Sequence, residues 1–165
     1  MNGRRDVCLM QQSPEIVVDA DACPVKQEIV EVAALYRVNV CLVASINHQL
    51  FQYTQYDHVT FIQVDAANQS ADLYIVNRVR ARDIVVTADL GLAAMVLGKG
   101  AVVLSPRGEQ YTENNIDYLL ERRHELAKMR QSGQKTSGPK RLMLQDRQNF
   151  QQKMTNILQN MQENE

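Results

Sequence analysis

The sequence predicts an α/β fold, a three-layer sandwich with a mostly parallel central sheet of about five strands followed by C-terminal helices. Short runs of β-branched and other apolar residues, typical of strands buried on both faces, recur along the chain. Between them lie segments whose apolar residues repeat at helical spacing. Strands that alternate with helices build a parallel sheet with helices on both sides. A chain of 165 residues, 45% of them hydrophobic, is long enough for one such domain.

Five apolar runs are the predicted strands. They span residues 16–18, 40–43, 61–64, 84–87 and 101–104. The fifth ends at Ser105 and Pro106, a typical strand terminator. The segment 44–58 has no clear period, and we expect a short helix there.

Helices are predicted from apolar spacing and from the residues that start or stop a helix. The predicted helices span residues 24–36, 70–81, 90–98, 112–132 and 145–161. Pro24 suits a first helical position, and Ser70 and Thr112 are the expected N-caps. The last helix carries an apolar stripe of Phe150, Met154, Ile157, Leu158 and Met161. Packing of this stripe against the body is the favoured interpretation, and a homodimer or partner interface is the alternative.

Several classes of protein are excluded by composition. No apolar run approaches the roughly 18 residues that a membrane-spanning helix needs, and no apolar signal segment follows the N-terminus, so a cytoplasmic protein without membrane contact is expected. Three cysteines without a CxxC pair argue against a disulfide framework or a thiolate zinc site. We divide the chain into a loose leader (1–14), one domain (15–150) and the end of the C-terminal amphipathic helix with its tail (151–165).

Charge is distributed unevenly although the net charge is only -1. Eight basic and two acidic residues lie between Arg122 and Arg147, so the rest of the chain is acidic. A basic segment beside an acidic body is a pattern in which one part can hold a polyanion and the other cations. A solvated, Lys- and Arg-rich helix and loop is the alternative.

Aspartates follow three of the predicted strands. They are Asp19 and Asp21 after the first strand, Asp65 and then Asp72 after the third, and Asp89 after the fourth. Carboxyl ends of parallel strands share one edge of a sheet, where ligands bind. Like charges gathered there repel unless a cation compensates, and oxygen ligands without a His or Cys pattern favour Mg²⁺ or Mn²⁺. The alternative for each aspartate alone is a helix cap.

Three residues near these aspartates need a separate interpretation. Lys26 lies in the first turn of a predicted helix, where an anion such as phosphate is favoured, although an exposed lysine is the alternative. Cys23 is more typical of a small buried residue than of a nucleophile. Asp83 precedes its strand and so belongs to the opposite edge of the sheet.

Residues 16–26, which read IVVDADACPVK, resemble the signature of the YaiI/YqxD family of bacterial proteins. Similar family segments are SADLYIV (70–76), DIVVTADLGLA (83–93) and GPKR (138–141), so the resemblance covers about 15–150. That family is regarded as PIN-like, related to nucleases that hold Mg²⁺ or Mn²⁺ on acidic residues and cut RNA. The resemblance implies Asp19, Asp72 and Asp89 as catalytic carboxylates, with Asp21 and Asp65 as further metal ligands.

The sequence supports one leading hypothesis and two alternatives. The first is a Mg²⁺- or Mn²⁺-dependent ribonuclease in which Lys26, Arg122 and Arg130 hold the phosphate backbone. The second is a PIN-like protein that binds RNA or a ribonucleoprotein without catalysis, because PIN nucleases carry a further acidic residue after the first crossover and only Asp57 is present there. The third takes Asp19 as the nucleophile of a dehalogenase-like phosphatase, for which Lys99 is badly placed.

Overall fold

A computed structural model describes residues 13–45, 50–66 and 69–165. The strands of its six-stranded sheet are β1 (Glu15–Asp19), β2 (Asn39–Ala44), β3 (Val59–Gln63), β4 (Ile84–Val86), β5 (Val102–Leu104) and β6 (Gln110–Tyr111). The helices are α1 (Lys26–Tyr36), α2 (Ser70–Arg78), α3 (Leu90–Leu97), α4 (Ile116–Gln131) and α5 (Leu144–Glu163). Single 3₁₀ turns span Ala20–Ala22 and Phe51–Tyr53.

The strand order β3-β2-β1-β4-β5-β6 makes this a doubly wound sheet. All neighbouring strands are parallel except the β5–β6 pair. The chain moves outward from β1 to β3, then returns to place β4 on the other side of β1. This reversal creates a switch point between the carboxyl ends of β1 and β4, which is where open α/β sheets bind ligands.

Alternate residues of each strand face opposite helical layers. In β1, Ile16 and Val18 belong to the core under α1 and α5, and Val17 belongs to the core under α2, α3 and α4. All three side chains are fully buried, as expected for a strand covered on both faces. The predicted three-layer α/β sandwich is therefore confirmed.

The C-terminal helix is part of the domain. Phe150, Met154 and Leu158 are buried in the core that they share with α1, so the apolar stripe packs against the body as favoured. The boundary that we placed at residue 150 falls within α5, which continues unbroken through it. Gly108, with φ +84°, lets the β5–β6 turn approach the backbone of Phe150, where an added Cβ would lie 3.1 Å away.

Some predicted element ends are wrong for local reasons. α2 is preceded by Gln69 in a left-handed conformation and has no side-chain cap, so Ser70 is its first residue and not its N-cap. Pro24 lies in a turn before α1. Asn115 and not Thr112 occupies the N-cap position of α4, without a side-chain capping bond, and its Oδ1 accepts a hydrogen bond from the Thr112 amide.

Other predictions concern segments that are only partly described. The leader predicted at 1–14 lies outside the described residues up to residue 12. Within 44–58, residues 46–49 also lie outside them, and the expected short helix is the single turn Phe51–Tyr53. Across the described part of the chain, no helix combines the length and apolar character that crossing a bilayer demands.

Candidate active site

Two side chains meet at the switch point of the sheet. Asp19 is the last residue of β1, and Thr87 directly follows β4. The buried Thr87 hydroxyl donates a hydrogen bond to Asp19 Oδ2 (3.2 Å) and accepts one from the amide of Asp89 (3.0 Å). Thr87 therefore links the carboxylate of Asp19 to the backbone of Asp89.

Negative charge is concentrated around Asp19. Burial raises the pKa of Asp19 to about 6, against the lowering effect of the Thr87 hydrogen bond. The carboxylates of Asp72, Asp21 and Asp89 raise it further. The pKa of Asp72 is itself raised, first by burial and then by Asp89. Three of the other predicted aspartates thus oppose the ionisation of Asp19, and Asp89 also opposes that of Asp72.

A cleft of about 570 Å³ lies between α2 and α3, and one residue of α4 also lines it. We call it the α2–α3 cleft. Its lining residues are Gln69, Ser70, Asp72, Leu73, Val76, Asp89, Gly91, Leu92, Met95 and Arg123. Asp72, in the first turn of α2, and Asp89, at the start of α3, therefore line one cavity. Asp19 does not line it, but its charge is coupled to both of them.

Asp89 is also the N-cap of α3. Its Oδ1 accepts hydrogen bonds from the amides of Gly91 (2.8 Å) and Leu92 (3.2 Å). The capping alternative that we stated for isolated aspartates is therefore correct for this oxygen. Asp89 also lines the cleft, and the capping bonds fix the position of its carboxylate.

The remaining two aspartates have different surroundings. Asp21 is exposed, and its carboxylate accepts hydrogen bonds from the amide and the hydroxyl of Ser45 at the end of β2. Asp65 is exposed beyond β3, and β2 lies between β3 and β1. Two strand spacings, roughly 10 Å, separate β3 from β1, and Asp65 is not among the carboxylates that raise the pKa of Asp19.

The basic residues predicted to hold phosphate are dispersed. Lys26 begins α1 and donates a hydrogen bond to the carbonyl of Cys23, a buried residue as predicted. Arg122 is exposed on α4. Arg130 lies near the end of the same helix and donates a hydrogen bond to the Thr136 hydroxyl (2.7 Å). None of the three lines the α2–α3 cleft.

Arg123 is the cation of the α2–α3 cleft, and sequence reasoning missed it. Its Nη1 lies 4.0 Å from Asp89 Oδ1, and its side chain is 58% exposed. A signal for it was present, because Leu119 and Leu120 mark the inward side of α4 and a residue three or four positions later lies on that side. A guanidinium at this point can pair with an anionic group in the cleft.

The carboxylates of the site suit a small hard cation that keeps most of its water ligands, and not one that is enclosed by protein. Among the side chains that the structure describes, no three His, Cys, Asp or Glu residues surround a common point as a ready-made metal cage. Mg²⁺, however, is commonly held by only one or two carboxylates, with water and substrate phosphate completing its shell. Asp19 and Asp72 would be the two carboxylates for such a partly protein-held ion.

Two further residues behave as structural groups. Asp83 lies at the opposite edge of the sheet, as predicted, where its carboxylate accepts hydrogen bonds from the amides of Glu15 and Arg80. Lys99 donates a hydrogen bond to the carbonyl of Val76 on α2. The ammonium group of Lys99, which we considered for the dehalogenase-like phosphatase, is therefore engaged in a contact with α2.

The fold and site together define a class, a doubly wound α/β protein with an aspartate at its switch point and two more in a neighbouring cleft. This chain belongs to the family described as "Uncharacterized BCR, YaiI/YqxD family", whose model matches residues 17–160. The predicted family resemblance is therefore confirmed, and the match extends into α5.

Bacterial relatives align with most of the chain. A UPF0178 protein of Bacillus velezensis is 44% identical over 160 residues, which cover 97% of this chain and 94% of that protein. A UPF0178 protein of Listeria monocytogenes is 43% identical over 151 residues, which cover 92% of this chain and 99% of the relative. No solved structure matches the chain.

Proposed function

We propose that this protein is a Mg²⁺- or Mn²⁺-dependent nuclease of the PIN-like kind that hydrolyses phosphodiester bonds of RNA. The observation that carries the proposal is that the partly buried Asp19 has three further aspartates near enough to oppose its ionisation. Such a group is costly for the fold, because burial and like charges both oppose ionisation of Asp19. A divalent cation is the simplest compensation for that charge.

Asp19 and Asp72 are the proposed ligands of the cation, and Asp89 and Asp21 add to the negative potential that attracts it. A bound divalent ion would supply Lewis-acid stabilisation of the charge that develops on the phosphate. Thr87 orients Asp19 through its hydroxyl, and the capping bonds of Asp89 orient that carboxylate. In the net reaction, water adds to phosphorus, one P–O ester bond breaks, and the leaving oxygen gains a proton.

Arg123 is the proposed phosphate clamp. It lines the same cleft as Asp72 and Asp89, and arginine pairs well with phosphate oxygens because its donors form a planar fork. Arg122 and Arg130 lie on the same helix and would contact more distant phosphates of a strand, with Lys26 contributing from α1. We therefore expect RNA binding to weaken steeply with added salt.

A non-catalytic protein that binds RNA or a ribonucleoprotein is the second candidate. The observation that favours it is that Asp21 and Asp89 already serve structural bonds to Ser45 and to the α3 amides. Such a protein would hold RNA equally well with and without a chelator and leave it intact. The nuclease needs the metal for cleavage.

Replacement of Asp19 tests the proposal. We expect Asp19→Asn to reduce Mn²⁺-stimulated cleavage of a single-stranded oligoribonucleotide at least about 100-fold, because the proposed metal ligand is lost while side-chain size is kept. Cleavage is followed on a denaturing gel during Mn²⁺ titration, with an EDTA control.

Asp65→Asn is the matched control, since Asp65 is an exposed aspartate at the same edge of the sheet but lies apart from the group. We expect this variant to cleave like the wild type. Full activity of Asp19→Asn would refute the proposed site. Intact RNA bound by the wild-type protein in both Mn²⁺ and EDTA would favour the binding protein.

A further inference from the structure

A second cavity lies near the amino ends of β4 and β5, on the side of the sheet that α5 covers, and we call it the α5 pocket. Its volume is about 410 Å³, and its lining residues are Arg82, Val102, Gln110, Lys153, Asn156, Ile157, Asn160, Met161 and Asn164. Arg82 precedes β4, and Val102 begins β5. The candidate active site lies at the opposite, carboxyl edge of the sheet, so the α5 pocket is a separate feature of the molecule.

The charged residues of the α5 pocket are both cations. Arg82 and Lys153 line it, and no carboxylate stands among the described residues that do so. Neither cation forms an ion pair or a side-chain hydrogen bond with a residue that the structure describes. Lys153 is half-buried, so part of this side chain is shielded from water without a counter-ion beside it. An anion in the pocket would supply the missing charge.

Acidic residues that neighbour the lining residues in sequence do not supply that charge. They are Asp83, Glu109, Glu163 and Glu165, and the lining includes none of them. The carboxylate of Asp83 is occupied by two backbone amides. Glu163 accepts a hydrogen bond from the side chain of Gln159 (3.3 Å). The pocket is therefore a basic site within a chain whose net charge is -1.

Four carboxamide side chains complete the polar part of the lining. They belong to Gln110, Asn156, Asn160 and Asn164. The side-chain amides of Gln110 and Asn160 make no hydrogen bond to any described residue, so each can both donate to and accept from a ligand. Val102, Ile157 and Met161 form the apolar part of the lining. A ligand that matches this surface joins an anionic group to a body with hydroxyl or amide groups.

We infer that the α5 pocket binds a small phosphate monoester, with its phosphate at Arg82 and Lys153 and its body among the carboxamides. Two cations match the double charge of a phosphate monoester. Arginine offers phosphate a planar fork of donors, and lysine adds a point charge. The volume is within the range of small-molecule sites. The inference is independent of the proposed nuclease, because the two sites share no residue.

Titration calorimetry in EDTA tests the inference with three probes, namely inorganic phosphate, ribose 5-phosphate and adenosine 5′-monophosphate. EDTA keeps divalent ions out of the candidate active site. We expect one molecule of ester to bind per chain, and Arg82→Gln combined with Lys153→Gln to weaken that binding at least about tenfold. Binding of both esters identifies a sugar phosphate as sufficient, and binding of the nucleotide alone shows that the base is also required.

Arg80→Gln combined with Lys135→Gln is the matched control. Both residues are exposed and lie outside the lining, so this variant loses the same two charges without changing the pocket. We expect it to bind the ester as the wild type does. Asn160→Ala keeps both cations, and it should weaken ester binding several-fold while leaving the binding of inorganic phosphate unchanged. Thermal melting checks that every variant is folded.

Several results would overturn the inference. Absence of saturable binding of either ester at millimolar concentration would refute the site, and an equal loss in the control variant would reduce it to non-specific charge attraction. Loss of binding in Arg123→Gln but not in the double variant would place the ester in the α2–α3 cleft instead. Unchanged ester affinity in Asn160→Ala would refute the position of the ligand body. Failure of the wild type to cleave RNA would refute the nuclease alone.

Discussion

Acidic residues lie at both edges of the central sheet, but their electrostatic surroundings are opposite. At the amino edge, Glu15 forms a two-pronged ion pair with Arg78, at 2.8 and 2.9 Å, and the buried carboxylate of Asp83 accepts two backbone amides. At the carboxyl edge, Asp19 and Asp72 have raised pKa values, because burial and neighbouring aspartates oppose their ionisation.

The difference separates a structural role from a functional one. Donors at the amino edge stabilise each carboxylate, so these acids help to hold β1 and β4 in place. At the carboxyl edge, like charges face one another at a cost in stability. Sites that break a local rule of stability in this way are characteristic of function.

The largest effect on stability is expected at the amino edge. Asp83→Ala leaves two amides without their charged acceptor, and hydrogen bonds to charged groups contribute roughly 1.5–3 kcal/mol each. We therefore expect the free energy of unfolding to fall by about 3 kcal/mol, measured by urea denaturation. Asp65→Ala, on an exposed aspartate, should change it by less than about 0.5 kcal/mol. Equal stability of the two variants would contradict the structural role of Asp83.

Much of this fold could be predicted from the sequence because buried parallel strands leave a strong local signal. The run 16–18 predicted β1, which extends by one residue at each end. The strand β6 could not be predicted, since Gln110 and Tyr111 are too few to show a period. Their pairing with β5 depends on the turn at Gly108 packed against α5, which is a tertiary contact.

The same limit applies to the site. The proximity of Asp72 and Asp89 to Asp19 could be expected because parallel crossovers bring the residues that follow each strand to one edge. Strand order decides the rest. Asp65 follows a strand as the others do, but β3 is at the outside of the sheet. The spacing from Leu119 and Leu120 places Arg123 on the inward side of α4, but its place in the cleft depends on how α4 packs against α3.

A smaller effect of opposite sign is expected at the carboxyl edge. The pKa of Asp19 is about 6 in the folded protein and near its usual 3.8 when unfolded, so ionisation of this group opposes folding. The penalty is absent below about pH 4, grows as the pH rises to about 6, and is complete above that. Asp19→Asn removes it, so the variant should exceed the wild type in free energy of unfolding by about 1–2 kcal/mol at pH 8.

Urea denaturation at pH 4, 6 and 8 checks this prediction. The advantage of Asp19→Asn should nearly vanish at pH 4, where both side chains are neutral. A difference that stays constant over this range would mean that packing, and not ionisation, separates the two proteins. Mg²⁺ should raise the melting temperature of the wild type and not that of the variant, because only the wild type offers the proposed ligand.

The smallest effect on stability is expected for Gly91→Ala. This variant tests whether the hydrogen bonds that cap α3 also hold Asp89 in position at the cleft. A Cβ at Gly91 would lie 3.2 Å from Asp89 Oδ1, so the carboxylate must shift by a few tenths of an ångström. Alanine improves helix propensity by up to about 1 kcal/mol, and a weakened cap costs about the same. The free energy of unfolding should change by less than about 0.5 kcal/mol, while Mn²⁺-stimulated cleavage falls several-fold because Asp89 lines the cleft.

Gly98→Ala, at the other end of α3, is the control that adds the same methyl group without touching Asp89. Its added Cβ would meet the Met95 carbonyl at 3.4 Å, an ordinary contact far along the helix from Asp89. This control should therefore leave cleavage unchanged. If Gly91→Ala also retained full cleavage, the position of the Asp89 carboxylate would not matter for catalysis, and its bonds to the α3 amides would be a cap and nothing more.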